Sequence, residues 1–535
     1  MKIVFMIMGT VLVATSFGKH QIVTSPFDSV DGSLRSIVTA SAPKDTVVFN
    51  VPGNDTIVLK NKIDISKEIV IDGENSVTGQ RTVIKVDTPS ISRFIVFAVT
   101  NEKVSLLRLS MLGGNGGVIR ISGANARVFI DNCVVKNGRN YSGGGISNNS
   151  GHLTLLNSTV SNNGASGSSS SNGSVQAVAC GGGVFNDTGV ALLENCTIDS
   201  NYASSSSSSS SVTAGFAASV ACGGGIYNGC GRMTIINCTI AGNSCFSSAS
   251  SSMYFYSYAN SYGGGVYNES GTLAIVNSTV NGNTCNASSS ASPGYLASAA
   301  THGDEVYSSE KSSVILNSIL YNVQGTCSGS GSAKRYPDSI GRMIKVVSVD
   351  NVLANNGGPT QTIAVDSASP AFETGFRTAT YLKDTVILGK QDTILKVAYF
   401  DSSNWHTIED DSIIPAGTNI LQITNDQRGV LRRNPPCIGA FECALGGNSV
   451  RYGSNVTDQS PEVLINIHDF CFQIFSRTPA TINVFDLLGN KLIPKSYTIM
   501  AGKSSIAFPC MSKKWLVFRI VTRKSIITKK MLLGF

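Results

Sequence analysis

Apolar and polar residues alternate in short runs along most of the chain, and the same runs recur. The segment from Met233 to Ile240 (MTIINCTI) is typical, because Thr and β-branched residues dominate it and its apolar positions partly follow a period of two. Gly and Asn stand at fixed places between such runs and permit tight bends. The pattern therefore predicts short β-strands joined by turns.

Four blocks of 21 residues carry this pattern without gaps. They begin with GGG at positions that lie 38, 42 and 40 residues apart: Gly143, Gly181, Gly223 and Gly263. Such a period is typical of a solenoid or a propeller. The fixed part is too short for a four-stranded propeller blade, so we expect each block to form one coil of a parallel β-helix, in which strands of neighbouring coils pair at ~4.8 Å.

Ser- and Ala-rich segments separate the blocks at residues 164–179, 202–221, 244–262 and 284–302. We expect them to be loops that project from one corner of successive coils. They could be padding without a partner or a wall that binds a ligand. One segment contains five aromatic residues that could stack on sugar rings or pack on the coil beneath: Tyr254, Phe255, Tyr256, Tyr258 and Tyr262.

An Asn-x-Thr triplet recurs at one position of each block, at Asn157, Asn195, Asn237 and Asn277. The triplet matches the N-glycosylation sequon, which requires a surface loop. A position that repeats at a strand end favours an internal stack of Asn side chains instead.

Charge and cysteine content exclude some classes of function. The net charge is +7, and residues 455–535 account for all of it with 11 Lys and Arg against 4 Asp and Glu, so the repeats have no basic field for nucleic acid. Most of the 13 cysteines recur at equivalent repeat positions, which favours stacking over pairing. Cys437 and Cys443 could form a local disulfide. No cysteine pair has the spacing of a metal site, and nothing indicates a cofactor.

The ends of the chain differ in composition from the repeats. Residues 1–18 have the basic start, short apolar run and small-x-small end of a secretory signal peptide. We expect an N-terminal cap over 19–50, the β-helix over 51–445, a linker over 446–460 and a small β-sandwich over 461–535. No later segment is predicted to span a membrane.

Many parallel β-helices act on polysaccharides, so the coils were aligned for paired carboxylates. Asp131 and Glu194 fall at one repeat position, two coils or ~9.6 Å apart at the strand spacing, with Leu156 between them. Ile236 and Val276 follow at that position, and no Arg or Lys recurs nearby. These two acids are therefore weak catalytic candidates, and the sequence favours a protein that is not an enzyme.

Several motifs occur in an order that resembles a known family. They are Gly32-Ser-Leu-Arg35, the GGGIYN and INCTI coils, Leu353-Ala-Asn-Asn-Gly-Gly-Pro-Thr360, Ser369-Pro-Ala371, Asp426-Gln-Arg-Gly429 and Ile438-Gly-Ala-Phe-Glu442. Together they resemble bacterial surface proteins of the choice-of-anchor Q type, and the coils are similar to chlamydial polymorphic outer-membrane proteins. The resemblance implies an exported right-handed parallel β-helix with a variable C-terminal anchor. It implies no reaction.

The C-terminal region resembles the sorting domain of the type IX secretion system. Residues 481–489 (TINVFDLLG) precede two further strand-like runs and a basic end, while Lys514-Trp515-Leu516 stands where that domain usually has Gly-x-Tyr. The resemblance implies a β-sandwich that is recognised by the secretion machinery and is often removed. We therefore expect a secreted or outer-membrane-attached protein, adhesin-like or structural, that binds a surface glycan or a host or neighbour-cell protein. The alternative is a polysaccharide lyase or glycoside hydrolase.

Overall fold

The computed structural model describes residues 18–320 with short gaps (53–55, 88–94, 211–215, 253–255, 293, 310–312 and 317). It then describes 353–363 without 357, 377–441 with gaps (388–389, 401–402, 408–411, 416–417 and 433–438), and the strands of 463–533. The chain divides into two compact units, residues 1–446 and 447–535. Among the described residues, no helix is long and apolar enough to cross a bilayer.

Three long parallel sheets form the first unit, and each repeat block contributes one strand to each sheet. Sheet I contains His20–Val23, Thr46–Phe49, Ile69–Asn75, Lys103–Leu107, Arg127–Asp131, His152–Leu156, Val190–Glu194, Arg232–Ile236, Thr272–Val276 and Ser313–Leu316. Sheet II contains Ile63–Ile65, Phe97–Thr100, Ile119–Ser122, Ile146–Asn148, Val184–Asn186, Ile226–Asn228, Val266–Asn268 and Val306–Ser308. Sheet III contains Thr56–Leu59, Thr82–Val86, Leu109–Leu112, Val134–Lys136, Thr159–Ser161, Thr197–Asp199, Thr239–Ala241, Thr279–Asn281 and Ile319–Leu320. The predicted parallel β-helix is confirmed, with three strands per coil.

The core runs along the inside of the coils. Strand residues alternate between buried and partly exposed, as in Val190–Glu194, where Ala191 and Leu193 are buried. In-register pairing places the same inward position of successive coils side by side, so one continuous apolar cluster extends from Val23 to Val306. Burial of this column stabilises coils that could not fold singly.

The N-terminal end of the solenoid is covered by local structure. His20–Val23 pairs in parallel with Thr46–Phe49 and so extends sheet I. Between these strands, the helix Leu34–Ala40 begins after Ser33, whose hydroxyl accepts a hydrogen bond from the amide of Ser36 at 3.2 Å. Leu34 and Val38 bury one face of the helix against the first coils.

The Ser-rich segments are not loops, and that expectation is wrong. They form two further parallel sheets that extend from the corner between sheets III and II, and we call this pair of sheets the wing. Sheet IV contains Arg139–Asn140, Gly164–Ser171, Tyr202–Ser209, Ser244–Ser251 and Thr284–Ser290. Sheet V contains Val175–Cys180, Phe216–Cys222, Tyr256–Tyr262 and Ala297–His302. Coil-on-coil pairing continues from the fixed blocks into these segments and gives their backbone groups partners, which polar composition alone does not predict.

Antiparallel strands follow the solenoid. Sheet VI contains Trp405–Thr407, Lys390–Phe400, Arg377–Ile387 and Ile420–Gln422. The second unit has one sheet of Val463–His468, Cys471–Ser476 and Gly502–Ala507, and another of Tyr497–Ile499, Ala480–Phe485, Lys514–Thr522 and Ile526–Leu533. The all-β fold predicted for this unit is thereby confirmed.

Candidate functional site

The interior of the wing is built from small side chains. Ala165, Ala203 and Cys245 of sheet IV pack with Ala179 and Ala221 of sheet V, and all five are fully buried. Because none of these side chains is larger than a thiol, the two sheets can approach closely and still fill the space between them. This is why a Ser- and Ala-rich sequence can form packed sheets here.

Buried serines in the wing bond to one another. Ser205 Oγ lies 2.6 Å from Ser219 Oγ and also donates to the carbonyl of Ala177 at 2.9 Å. In the next coil, Ser247 Oγ lies 2.9 Å from Ser261 Oγ. A buried hydroxyl without a partner costs about 1–3 kcal/mol. These pairs avoid that penalty for the serines that they join in the interior of the wing.

The outer face of sheet IV carries two regular rows of serines, which we call the hydroxyl face, and beside them Phe246, which is 44% exposed. In-register pairing aligns two rows, Ser168, Ser206, Ser248 and Ser288 in the first and Ser170, Ser208, Ser250 and Ser290 in the second. Successive members of a row are separated by the strand spacing of ~4.8 Å. The two rows are polar and carry no charge.

The outer face of sheet V is different in kind. Tyr256, Phe216 and Tyr258 are 50%, 42% and 37% exposed, and Val178 is also exposed. The rings of Tyr256 and Tyr258 are nearly parallel, with centroids 6.4 Å apart. We call these four residues the apolar wing face. Tyr256 is the in-register partner of Phe216, whereas Val178 lies further along the sheet, in register with Val220 and Asn260.

A stack of aromatic rings joins this face to the main coil. We call it the aromatic ladder, and it contains Phe185, Tyr227, Tyr267 and Tyr307 on the outer face of sheet II and Tyr262 and His302 of sheet V. Phe185 and Tyr227 lie 4.9 Å apart, and Tyr262 lies 5.2 Å from Tyr267. The hydroxyl of Tyr227 donates to the carboxylate of Glu269. Burial raises the pKa of Tyr262 and lowers that of His302, so both groups are neutral near pH 7.

The wing carries no formal charge in any of its four coils. Residues 164–180, 202–222, 244–262 and 284–302 contain no Asp, Glu, Lys or Arg, whereas charged residues make up 14% of the whole chain. A surface without charge has no long-range attraction for nucleic acid, acidic polysaccharide or anionic lipid. The geometry therefore suits a ligand that is itself uncharged.

The structure separates the five aromatic residues that the sequence singled out. Tyr256 and Tyr258 lie on the apolar wing face, and Tyr262 lies half-buried in the aromatic ladder. Tyr254 and Phe255 lie outside the described residues. Phe216, which the sequence analysis did not select, pairs in register with Tyr256 and extends the patch. Only pairing between coils could have revealed this neighbour.

The two candidate acids occupy the register that the repeat alignment gave. Asp131 pairs with Leu156, and Leu156 pairs with Glu194. Asp131 accepts a hydrogen bond from Asn157 Nδ2 at 2.8 Å, and burial raises the pKa of Glu194. Beyond them, Ile236, Val276 and Leu316 pack against Val397 of sheet VI, which covers this side of sheet I.

The Asn residues of the sequon-like triplets form a hydrogen-bonded stack. Asn195 Nδ2 donates to Asn157 Oδ1 at 3.3 Å, and Asn237 Nδ2 donates to Asn195 Oδ1 at 3.3 Å. Each has a positive φ, near 50°, which Asn tolerates better than most residues. The expected stack forms, but the expectation that it is internal is wrong. The stack lies on the outside of the bend between sheets I and III, where Arg432 and the carbonyl of Asn425 contact Asn237.

The chain crosses this bend near three of the motifs, at residues 353–360, 426–429 and 438–442. Gln427 is buried, and its Nε2 donates to Thr360 Oγ1 at 2.8 Å and to the carbonyl of Cys196 at 3.1 Å, while its Oε1 accepts from Thr239 at 2.7 Å. A Cβ on Gly439, where φ is +100°, would lie 2.6 Å from Ile319 Cδ1. These residues fasten the C-terminal segment to the coils, so we call the described parts of 353–363 and 424–441 the latch. The motif residues Ser369 to Ala371, Ile438 and Glu442 lie outside the described residues.

Two buried ladders of Asn were missed by the sequence analysis. The first contains Asn148, Asn186, Asn228 and Asn268, with side chains that bond to one another at 2.6–2.8 Å. The second contains Asn163, Asn201, Asn243 and Asn283, in which each of the first three backbone amides donates to the next side-chain oxygen at 2.9–3.0 Å. The signal was present, because Asn occupies both positions in each of the four blocks that begin with GGG.

Glu305 ends the second ladder. The block that starts at Gly303 has Glu where the others have their third Gly, and it has Val323 where the others have this Asn. The carboxylate of Glu305 accepts from Asn283 Nδ2 at 2.6 Å and from the amide of Gly282 at 2.9 Å. Burial raises its pKa to about 7.

The cysteines of the coils are stacked thiols. Cys180 is the in-register partner of Cys222, and Cys245 is that of Cys285; all four are buried and reduced. Cys437 and Cys443 lie outside the described residues, so their pairing stays a prediction. Among the residues that the structure describes, no group of His, Cys, Asp or Glu is arranged to hold a metal ion.

Comparisons with known proteins add no name to this geometry. A scan against protein-family models, a search of curated proteins and a search of solved structures each found no match to the chain.

Proposed function

We propose that this chain is an exported surface protein whose apolar wing face binds an uncharged glycan. The observation that carries the proposal is the exposure of Tyr256, Tyr258 and Phe216 on a sheet face without charge. Aromatic rings offer apolar area with little loss of side-chain entropy, and they suit the C–H faces of sugar rings. Gln176 and Asn260, on the same outer face of sheet V, could hydrogen-bond to sugar hydroxyls.

The test is binding of the full-length chain to a glycan array and to insoluble neutral polysaccharides. The double variant Tyr256→Ala/Tyr258→Ala should lose about tenfold or more in affinity, since an aromatic contact is worth about 1 kcal/mol beyond its area. The matched control is Ser206→Ala/Ser248→Ala on the hydroxyl face, which should bind as well as the natural chain. A blank array with folded protein leaves a passive structural role, and capture of a protein instead of a glycan rejects the sugar ligand.

We further propose that residues 461–535 form a sorting domain for type IX secretion. The support is the sequence resemblance together with an antiparallel all-β unit from Gly447 onwards. Deletion of 447–535 should leave the β-helix in the periplasm. If the truncated chain still reaches the cell surface, the C-terminal unit is an accessory domain.

The alternative is a polysaccharide-cleaving enzyme that uses the outer face of sheet I. Glu194 favours it, because a carboxyl with a raised pKa can act as a general acid. Incubation with pectins, alginates and xylans should then release new reducing ends or unsaturated uronides, and Glu194→Gln should abolish that release. Cleavage that follows this pattern would replace the binding proposal.

A further inference from the structure

The wing has an open edge on its N-terminal side. The first coil that precedes it contributes only Arg139–Asn140 to sheet IV, which pairs with Gly164 and Ala165. Sheet V is bordered there by a single bridge between Ser142 and Cys180. Within the described chain, no strand pairs with this side of residues 167–171 or 175–179.

The direction of the unpaired backbone groups follows from the hydrogen bonds of the residues at the ends of these strands. The amide of Tyr202 donates to Asn163 O, so the odd-numbered residues of Gly164–Ser171 bond inwards to the next coil. The amide of Cys180 donates outwards to Tyr141 O, so the even-numbered residues of Val175–Cys180 face the edge. The pairing of Asn140 with Ala165 already gives the amide of Ser166 a partner, the carbonyl of Asn140. The N–H and C=O groups that face outwards without a partner strand belong to Ser168, Ser170, Gln176 and Val178.

The wing lacks the usual protection of such an edge. Natural sheets guard open edges with charged side chains, Pro, bulges or a covering segment. Residues 164–180 contain neither Pro nor any charged residue. Sheet I, by contrast, ends beside the helix Leu34–Ala40, which helps to cover that end of the solenoid. An unguarded edge of two adjacent strands is a template for further pairing.

We propose that this edge pairs with the same edge of a second copy of the chain. A second copy stacked in the same direction would place its main coils where residues 97–136 of the first copy already lie, because the solenoid continues past the wing on that side. A two-fold rotation avoids this overlap and sets the two solenoids on opposite sides of a joint wing. The unpaired stretches, residues 167–171 of sheet IV and Val175 to Ala179 of sheet V, then pair antiparallel with their own copies, which makes a closed two-fold interface.

An identical partner fits this edge better than an unrelated peptide. The edge consists of two strands at the separation set by the small interior side chains of the wing, and only a partner with the same two-strand cross-section continues both sheets at once. The residues that would pair, 167–171 and 175–179, carry no charge in either copy. Arg139, at the end of this edge, is the charged side chain of sheet IV and lies 5.4 Å from the centroid of the Tyr202 ring.

The test is the mass of the full-length chain by light scattering after gel filtration over a range of concentrations. The natural chain should be a dimer, and Ser168→Pro and Val178→Lys should each weaken the dimer at least tenfold. Pro at 168 removes only an outward amide, so the wing should still fold, and circular dichroism checks this. Ser168→Ala keeps the amide and is the matched control that should remain dimeric.

Hydrogen exchange gives a second readout that needs no variant. The amides of Ser168 and Ser170 should become protected as the concentration of the natural chain rises, whereas the amide of Ser206 should be protected throughout. A chain that stays monomeric over its whole soluble range overturns the proposal. So does a dimer that survives both Ser168→Pro and Val178→Lys.

Discussion

Glu305 makes the last described coils of the solenoid sensitive to pH. Its side chain is 2% exposed, and burial holds its pKa near 7 instead of the ordinary 4.5. Each unit of difference between the folded and unfolded pKa is worth about 1.4 kcal/mol. The ionised carboxylate therefore costs the folded state about 3 kcal/mol relative to the protonated form.

The sign follows from which state binds the proton more tightly. Below about pH 4.5, Glu305 is protonated in the folded and the unfolded chain, so its contribution to stability is fully present. Between pH 4.5 and about 7 the folded state holds the proton and the unfolded state does not, so stability falls as the pH rises. Above about pH 7 the contribution is lost.

A local assay is needed, because other carboxyls titrate elsewhere in the chain. Hydrogen exchange of a peptide that spans residues 282–308, corrected for the intrinsic effect of pH, should give an opening free energy about 3 kcal/mol larger at pH 4.5 than at pH 8. Glu305→Gln should remove most of this difference, because the amide does not titrate. Its one carbonyl oxygen can accept from Asn283 or from Gly282 but cannot replace both carboxylate oxygens, so the variant lowers stability by a similar amount at both pH values. Glu74→Gln changes an exposed carboxylate and should leave the difference intact. An equal pH dependence in the natural chain and Glu305→Gln would refute the reasoning.

Three further predictions concern the latch, the thiols and the GGG segment that precedes each strand of sheet II. Gln427→Ala should destabilise the latch by about 2–4 kcal/mol, because Thr239 and Thr360 lose a buried partner. Limited proteolysis within residues 418–441 should then be faster than in the control Gln422→Ala, which changes an exposed side chain. Among the cysteines of the coils, Cys230 is exposed and Cys133 is buried, and burial raises the pKa of Cys133 to about 12. Peptide mapping after brief alkylation should therefore find label on Cys230 and none on Cys133 until the chain is denatured. Gly224→Ala should prevent normal stacking of the coils, since the new Cβ would lie 2.3 Å from the carbonyl oxygen of Ser244. A thermal unfolding curve like that of the natural chain would contradict this expectation. The control is Ala218→Gly on the partly exposed face of sheet V, which should have a mild effect.

The repeat predicted the main coil because each block contains the residue pattern of its own turns and strands. The GGG start and the alternating run from Met233 to Ile240 correspond to strands in sheets II, I and III. Inward positions such as Ile235 are apolar for a local reason, which is burial on one face of a strand. Local patterning was therefore enough for the fold class.

The wing could not be predicted from local patterning. Runs such as Ser204 to Ser211 have no apolar face and read as linker. What makes them strands is the neighbouring coil: Tyr202–Ser209 pairs along its whole length with strands on both sides. Stacking supplies backbone partners and hides Ser205 and Ser219 together, and neither effect is visible within one segment.

Some faces of the solenoid are covered by other segments of the chain and others are exposed, and this difference indicates where recognition occurs. The outer face of sheet I, which carries Glu194, lies beside apolar side chains that sheet VI covers, and the bend next to it lies under the latch. The wing has exposed aromatic residues on the outer face of sheet V, rows of hydroxyls with the exposed Phe246 on the outer face of sheet IV, and an unpaired edge, and its four coils carry no charge. A chain that places charged residues throughout its main coil yet omits them from 164–180, 202–222, 244–262 and 284–302 has kept these surfaces neutral across every wing-bearing repeat. A wing that served only as a spacer would not need neutral surfaces, since charged side chains on its outer faces would improve solubility. The neutrality therefore argues that the outer faces of the wing are contact surfaces, and a charge placed there, as in Tyr258→Lys, should impair binding without affecting the fold.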